Sequence, residues 1–175
     1  MNPIVHAELS WLTGARLTER RDRVLITLAG VVPDLDGLTL LAGEEAYSRW
    51  HHLLTHGIVA ATICAVAFGA LAKQRLLVGA LSFVAFHLHL LCDLAGSGPG
   101  WPIWYLYPFS LRETMWSGQW NLASWQNSLI GLAATVAVLW CALPLGRTAV
   151  ELFSVKTDGK VVGALRARFR RAPPH

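Results

Sequence analysis

Charged side chains are scarce in this chain. Asp, Glu, Lys and Arg make up 15% of the 175 residues, against roughly 25% in an average soluble protein. With 54% of the residues hydrophobic, a soluble domain of this length could not hide its apolar surface. Three cysteines are too few for a small disulfide scaffold. The first residues lack a basic start followed by a continuous apolar run, and Glu8 interrupts where that run would lie, so they do not read as a signal peptide. No internal repeat is visible. Disorder is excluded by a mean hydropathy of +0.42, because the chain has ample apolar surface to bury. The remaining class is an integral membrane protein.

Residues 57–72 and 128–146 carry no charge, and 76–95 holds only His87, His89 and Asp93 as titratable groups. A span needs about 20 apolar residues, so these three stretches are expected to cross, the first by gaining a turn at either end. Residues 23–41 form a weaker fourth span, interrupted by Pro33, Asp34 and Asp36. The expected fold is an all-α membrane-embedded bundle over 1–155, followed by a basic cytoplasmic tail over 156–175. Four crossings place 13 of the 15 Lys and Arg on one side and leave only Arg49 and Arg112 opposite. By the positive-inside rule both termini are cytoplasmic. The formal net charge of +4 then reports orientation, and nucleic acid is not the expected partner.

Residues 96–127 are rich in Trp, including Trp101, Trp104, Trp116, Trp120 and Trp125. Such rings collect at the membrane interface, and they also pack against helix ends. Both readings stay open. The tail is expected to lie on anionic headgroups.

Ionisable residues in an apolar setting point to function. His89 and Asp93 are four apart, so on a helix they share a face. They can ligate one metal, orient one another, or tie two helices together. His87 points elsewhere and reads as a packing residue. His51, His52 and His56 crowd the start of an apolar run; His51 joins His56 only if the chain before Leu53 is not helical. Asp34 and Asp36 suit a metal site, although Pro33 and Gly37 also suit a plain turn. Under the four-span topology these groups meet at the outer face. Imidazoles and carboxylates without nearby thiolates suit Zn, Mn or Fe, since Cys64, Cys92 and Cys141 read as packing residues. The surplus of ligands suggests two ions and hydrolysis of a phosphoester. Glu8, Glu44 and Glu45 read as solvated.

The order of these elements resembles the YdjM-like family of inner-membrane-associated metal-dependent hydrolases, which is tied to LexA binding. The matching elements are His6, then Pro33-Asp34-Leu35-Asp36, His51-His52-Leu53-Leu54-Thr55-His56, His89-Leu90-Leu91-Cys92-Asp93 and Tyr107-Pro108-Phe109-Ser110. They cover residues 1–130. The resemblance implies His6, Asp34, Asp36, His51, His56, His89 and Asp93 as metal ligands, and a bacterial inner-membrane location. Two positions depart from it: His52 stands where the family has Arg, and Gly37 where it often has His.

The expected function is hydrolysis of a phosphoester or lipid-linked substrate at the outer membrane interface, with one or two divalent ions. Asp36 is the expected general base and His52 a supporting residue behind the ligands. The alternatives are a non-enzymatic adaptor binding a cytoplasmic regulatory protein through its basic face, and an ion-conducting protein.

Overall fold

A computed structural model describes residues 1–169. The described chain is helical: α1 (Pro3–Gly14), α2 (Arg20–Ala29), the 3₁₀ segment η1 (Val32–Ala42), α3 (Glu44–Trp50), α4 (Ile58–Leu71), α5 (Arg75–Gly96), α6 (Trp125–Trp140), the 3₁₀ turn η2 (Ala149–Leu152) and α7 (Val155–Phe169). Among the described residues there is no strand, only an isolated bridge between Ile103 and Thr114.

Local chemistry sets the element ends. Asn2 caps α1 by accepting the Ile4 N–H at 2.8 Å, and Pro3 follows where its missing N–H costs nothing. Pro33 has no N–H with which to continue the α2 hydrogen-bond ladder, and the chain passes into the 3₁₀ segment η1 there. The chain accordingly bends by 52° between α2 and η1. Asp22 turns back to accept the backbone N–H groups of Lys73 and Gln74 at 2.9 and 3.1 Å, fixing the turn into α5.

Helix α5 is the hub, packed against α4, α1 and α2. Ala29, Ala61, Cys64, Phe86 and Leu90 form one apolar cluster, and Leu25, Ile26, Val78 and Ala85 a second. Glycine lets α4 and α5 approach: a Cβ on Gly69 would lie 3.2 Å from the Gly79 Cα and 2.9 Å from the Arg75 carbonyl.

By length and composition the described helices supply one full span, or two if the bent pair is counted. Among the described residues only α5, with 22 residues, is long and apolar enough alone; the bent pair of α2 and η1 passes the same test jointly. Helix α4 has 14 residues, a length of about 21 Å at the α-helical rise, short of a hydrocarbon core of about 30 Å. The extra turns expected at its ends do not form, because Gly57 and Ala72 are both extended. Helix α6 begins earlier than expected and stops at Trp140, before Pro144.

The expected tail is mostly α7, and it is docked. Asp158 accepts the Thr148 backbone N–H at 2.9 Å and its hydroxyl at 2.6 Å, while Arg166 donates to the Ala142 carbonyl at 3.0 Å. The tail's last residues, 170–175, lie outside the described residues.

A buried ion pair between Arg23 and Glu151 fastens α2 to η2. Trp11 donates its indole N–H to the same carboxylate at 2.9 Å, and Arg20 donates to the Glu151 carbonyl at 2.9 Å. Burial raises the Glu151 carboxyl, but the hydrogen bonds from Arg23 and Trp11 outweigh it and hold it below the usual range. Its folded pKa is thus depressed, so its stabilisation is present above the ordinary Glu value and lost as pH falls through the folded one. Glu151→Ala strands a buried guanidinium and should cost about 3–5 kcal/mol. Thermal unfolding in detergent should show this loss near neutral pH and show it shrinking in acid; an equal loss at both would contradict the ion pair.

Candidate metal centre

The Arg23–Glu151 network anchors one end of the bundle; the His and Asp groups gather at the other. Asp93 lies in the last turn of α5, with its carboxyl side chain only 2% exposed. Its Oδ1 lies 3.2 Å from His6 Nε2 on α1 and contacts the Met1 amino group. Its Oδ2 lies 2.9 Å from His89 Nε2, 3.5 Å from His56 Nε2 and 3.8 Å from His52 Nε2. Asp34 Oδ1 stands 3.6 Å from His89 Nε2.

The second nitrogens of two of these rings are committed elsewhere. His89 Nδ1–H donates to the Gly30 carbonyl at 2.8 Å. Gly30 can sit there because it has no side chain: a Cβ would come within 1.7 Å of Ser10 Oγ. His56 Nδ1–H donates to Asp36 Oδ2 at 2.9 Å. Metal-ligating histidines are oriented in this way, with the far N–H bonded to a carboxylate or carbonyl. It leaves the Nε2 atoms of His56 and His89 buried without hydrogen-bond partners, alongside both ring nitrogens of His6 and Nδ1 of His52.

A lone pair facing a carboxylate oxygen is repulsive unless a proton or a cation lies between them. At His56, burial lowers the imidazole pKa, but the neighbouring carboxylates of Asp36 and Asp93 outweigh it and raise it to about 9. A proton and a metal ion thus compete for the same nitrogen. His52 differs: burial, then the nearby His56, push it down to about 3, so its ring is neutral with a lone pair to give. The donor atoms form two groups, His6–Asp34–His89–Asp93 and His52–His56–Asp93, within which all lie within 4.8 Å of one another. Nitrogen and oxygen donors of this kind fit a borderline divalent ion.

Every candidate ligand read from the sequence reaches this region, but in two layers. Asp36 and His51 belong to neither donor group. Asp36, expected as general base, is buried and accepts from both His51, at 2.7 Å, and His56. His51 opens into a cleft of about 350 Å³ that Asp34, Tyr47, His52, Asp93 and Trp101 also line. His52, expected behind the ligands, stands among the donors. Helix α3 ends at Trp50, His51 is extended and His52 takes a left-handed φ of 67°. Adjacent imidazoles can therefore both serve the centre. His87 is a packing residue as expected, bonded to the Phe83 carbonyl and the Tyr105 hydroxyl.

The aromatic segment holds the histidine loop down. Tyr105 accepts the Ile58 N–H on its carbonyl at 2.8 Å. Asn127, unnoticed in the sequence, ties the end of α5 to α6 by donating to the Gly96 carbonyl at 2.8 Å. Phe109 and Leu111 of this segment point outward.

Asp36→Asn should loosen both imidazoles and weaken divalent-ion affinity by about 10–100-fold, with helical content unchanged. Competition against a chelating dye measures this; unaltered affinity would contradict the orienting role.

A family model, the YdjM inner membrane protein, matches residues 1–157. No curated protein and no solved structure matches.

Proposed function

The chain belongs to the YdjM inner membrane protein family, and from that premise we propose that it is a membrane-bound metal-dependent hydrolase. The substrate is a phosphoester or lipid-linked molecule at the outer interface. One observation carries this reading: His56 and His89 each spend Nδ1–H on an oxygen and turn an unpartnered Nε2 toward the buried carboxylate of Asp93. The four donors His6, Asp34, His89 and Asp93 hold the ion, Zn by preference, with Mn or Fe as alternatives. When bound, it supplies Lewis acidity toward water and a phosphoryl oxygen.

The chain's own groups supply the rest. His51 lines the cleft and donates its Nδ1–H to Asp36. Asp36 thereby fixes the tautomer and leaves Nε2 to accept and return a proton. Asp36 is then the positioning residue and His51 the proton carrier. The cleft is also lined by Gly37 and Leu122; Leu122 and Leu38, next to Gly37, are exposed apolar residues. A lipid-borne substrate can rest its chains there while its headgroup reaches the donors.

Helix α5 spans, the bent α2–η1 pair forms a second crossing, and α4 and α6 cross as shorter elements. The 13-to-2 division of cations supports a cytoplasmic end that holds Arg23 and α7; Met1, in contact with Asp93, lies at the opposite, outer end. The second reading, an adaptor binding a regulatory protein, draws on the exposed Lys156, Lys160 and Arg168 of α7; the buried centre would be idle in it.

Vesicle-reconstituted protein should release phosphate or alcohol from phosphoester lipids. Chelation should stop turnover and added metal restore it. His51→Gln should lower kcat by about 10²–10⁴-fold without changing metal content. Turnover that survives both chelation and Asp93→Asn would overturn the reading, as would metal-loaded protein that turns over no phosphoester lipid.

A further inference from the structure

The four-donor group leaves an imidazole unexplained. His52 is 1% exposed, its Nδ1 has no hydrogen-bond partner, and its backbone sits at φ 67°. A buried polar nitrogen without a partner is destabilising, and so is a left-handed backbone at a residue with a side chain. A cation does not satisfy Nδ1 itself, but bound at the other ring nitrogen, Nε2, it would offset the cost of holding this ring buried at a strained backbone position. His52 and His56 are neighbours, with ring centroids 4.4 Å apart. Both direct Nε2 toward Asp93 Oδ2, at 3.8 and 3.5 Å.

We infer that the centre takes a second divalent cation, held by His52, His56 and Asp93, beside the one held by His6, Asp34, His89 and Asp93. This deepens the hydrolase reading and rests on it. The two donor groups share only the Asp93 carboxylate, which thus bridges the two ions. Oδ1 faces His6 and the Met1 amino group, and Oδ2 faces His89 of the first group together with His52 and His56 of the second. Asp36 holds His56 from behind, so the second position has an oriented ligand of its own. Its open side is the cleft, because His52 and Asp93 both line it. Asp34, Asp36 and Asp93 together bring three negative charges. Two dications, with the Met1 ammonium already on Asp93, leave a positive excess, suited to an anionic phosphoester. Paired ions of this kind clamp the attacking and leaving oxygens of a displacement.

Manganese is the probe. The full-length protein in detergent, stripped and titrated with Mn²⁺, should bind about two ions per chain and give the broadened electron paramagnetic resonance signal of a spin-coupled pair. His52→Asn keeps a residue tolerant of positive φ while removing the imidazole. It should halve the stoichiometry and restore the six-line signal of an isolated ion. His6→Gln should also leave one ion, held by the other group. Circular dichroism checks that each variant is folded. Two coupled ions in His52→Asn would overturn the inference. One ion in the parent chain, kept in His52→Asn and lost in His6→Gln, would overturn it while leaving the hydrolase reading standing. No bound ion in the parent chain would overturn both.

Discussion

At the end of α5 the buried Asp93 carboxylate faces His6, His52, His56 and His89. Removing a carboxylate from water costs several kcal/mol or more unless positive charge meets it. Two of the four rings have already spent their Nδ1 protons on Gly30 and Asp36. The Met1 amino group meets part of that charge at Oδ1, and the space between Oδ2 and these rings calls for protons or metal ions. The local fold serves that requirement. Gly30 lets the chain pass close to Ser10, so that its carbonyl orients His89. The Pro33 bend brings Asp34 and Asp36 to the same end of the bundle, and the break after Trp50 turns His51 and His52 inward.

The remainder of the molecule holds this end in place. Apolar clusters fasten α5 to α2 and α4. At the far end the Arg23–Glu151 pair locks α2 to η2, with Trp11 of α1 on the same carboxylate. Exposed apolar residues on α4, α5 and α6, such as Ile63, Val84 and Leu132, suit a lipid surround, in keeping with the inner-membrane family. The polar groups sit where a bilayer tolerates them, shielded by protein and open to a cleft.

Much of the site was legible because its chemistry is local. Helical spacing brings His89 and Asp93 together, and the short stretch 51–56 concentrates three imidazoles. Their roles were less legible. Which of His51 and His52 faces Asp93 depends on backbone angles at a helix break, where helical periodicity does not apply. That Asp36 orients while Asp34 lines the cleft follows from the twist of η1. Span lengths were less legible for a related reason: hydropathy measures apolar runs, but helix length depends on where the backbone turns extended, as at Gly57 and Ala72. The Glu151 network was invisible, since its partners are 128 and 140 positions away.

X-ray absorption at the edge of the bound metal tests the central claim most directly. For Zn, nitrogen and oxygen neighbours at about 2.0–2.2 Å are expected, with the outer-shell scattering of several imidazoles and no sulfur. A sulfur shell at about 2.3 Å, or a metal with no imidazole scattering, would contradict a centre built on Asp93 and its histidines.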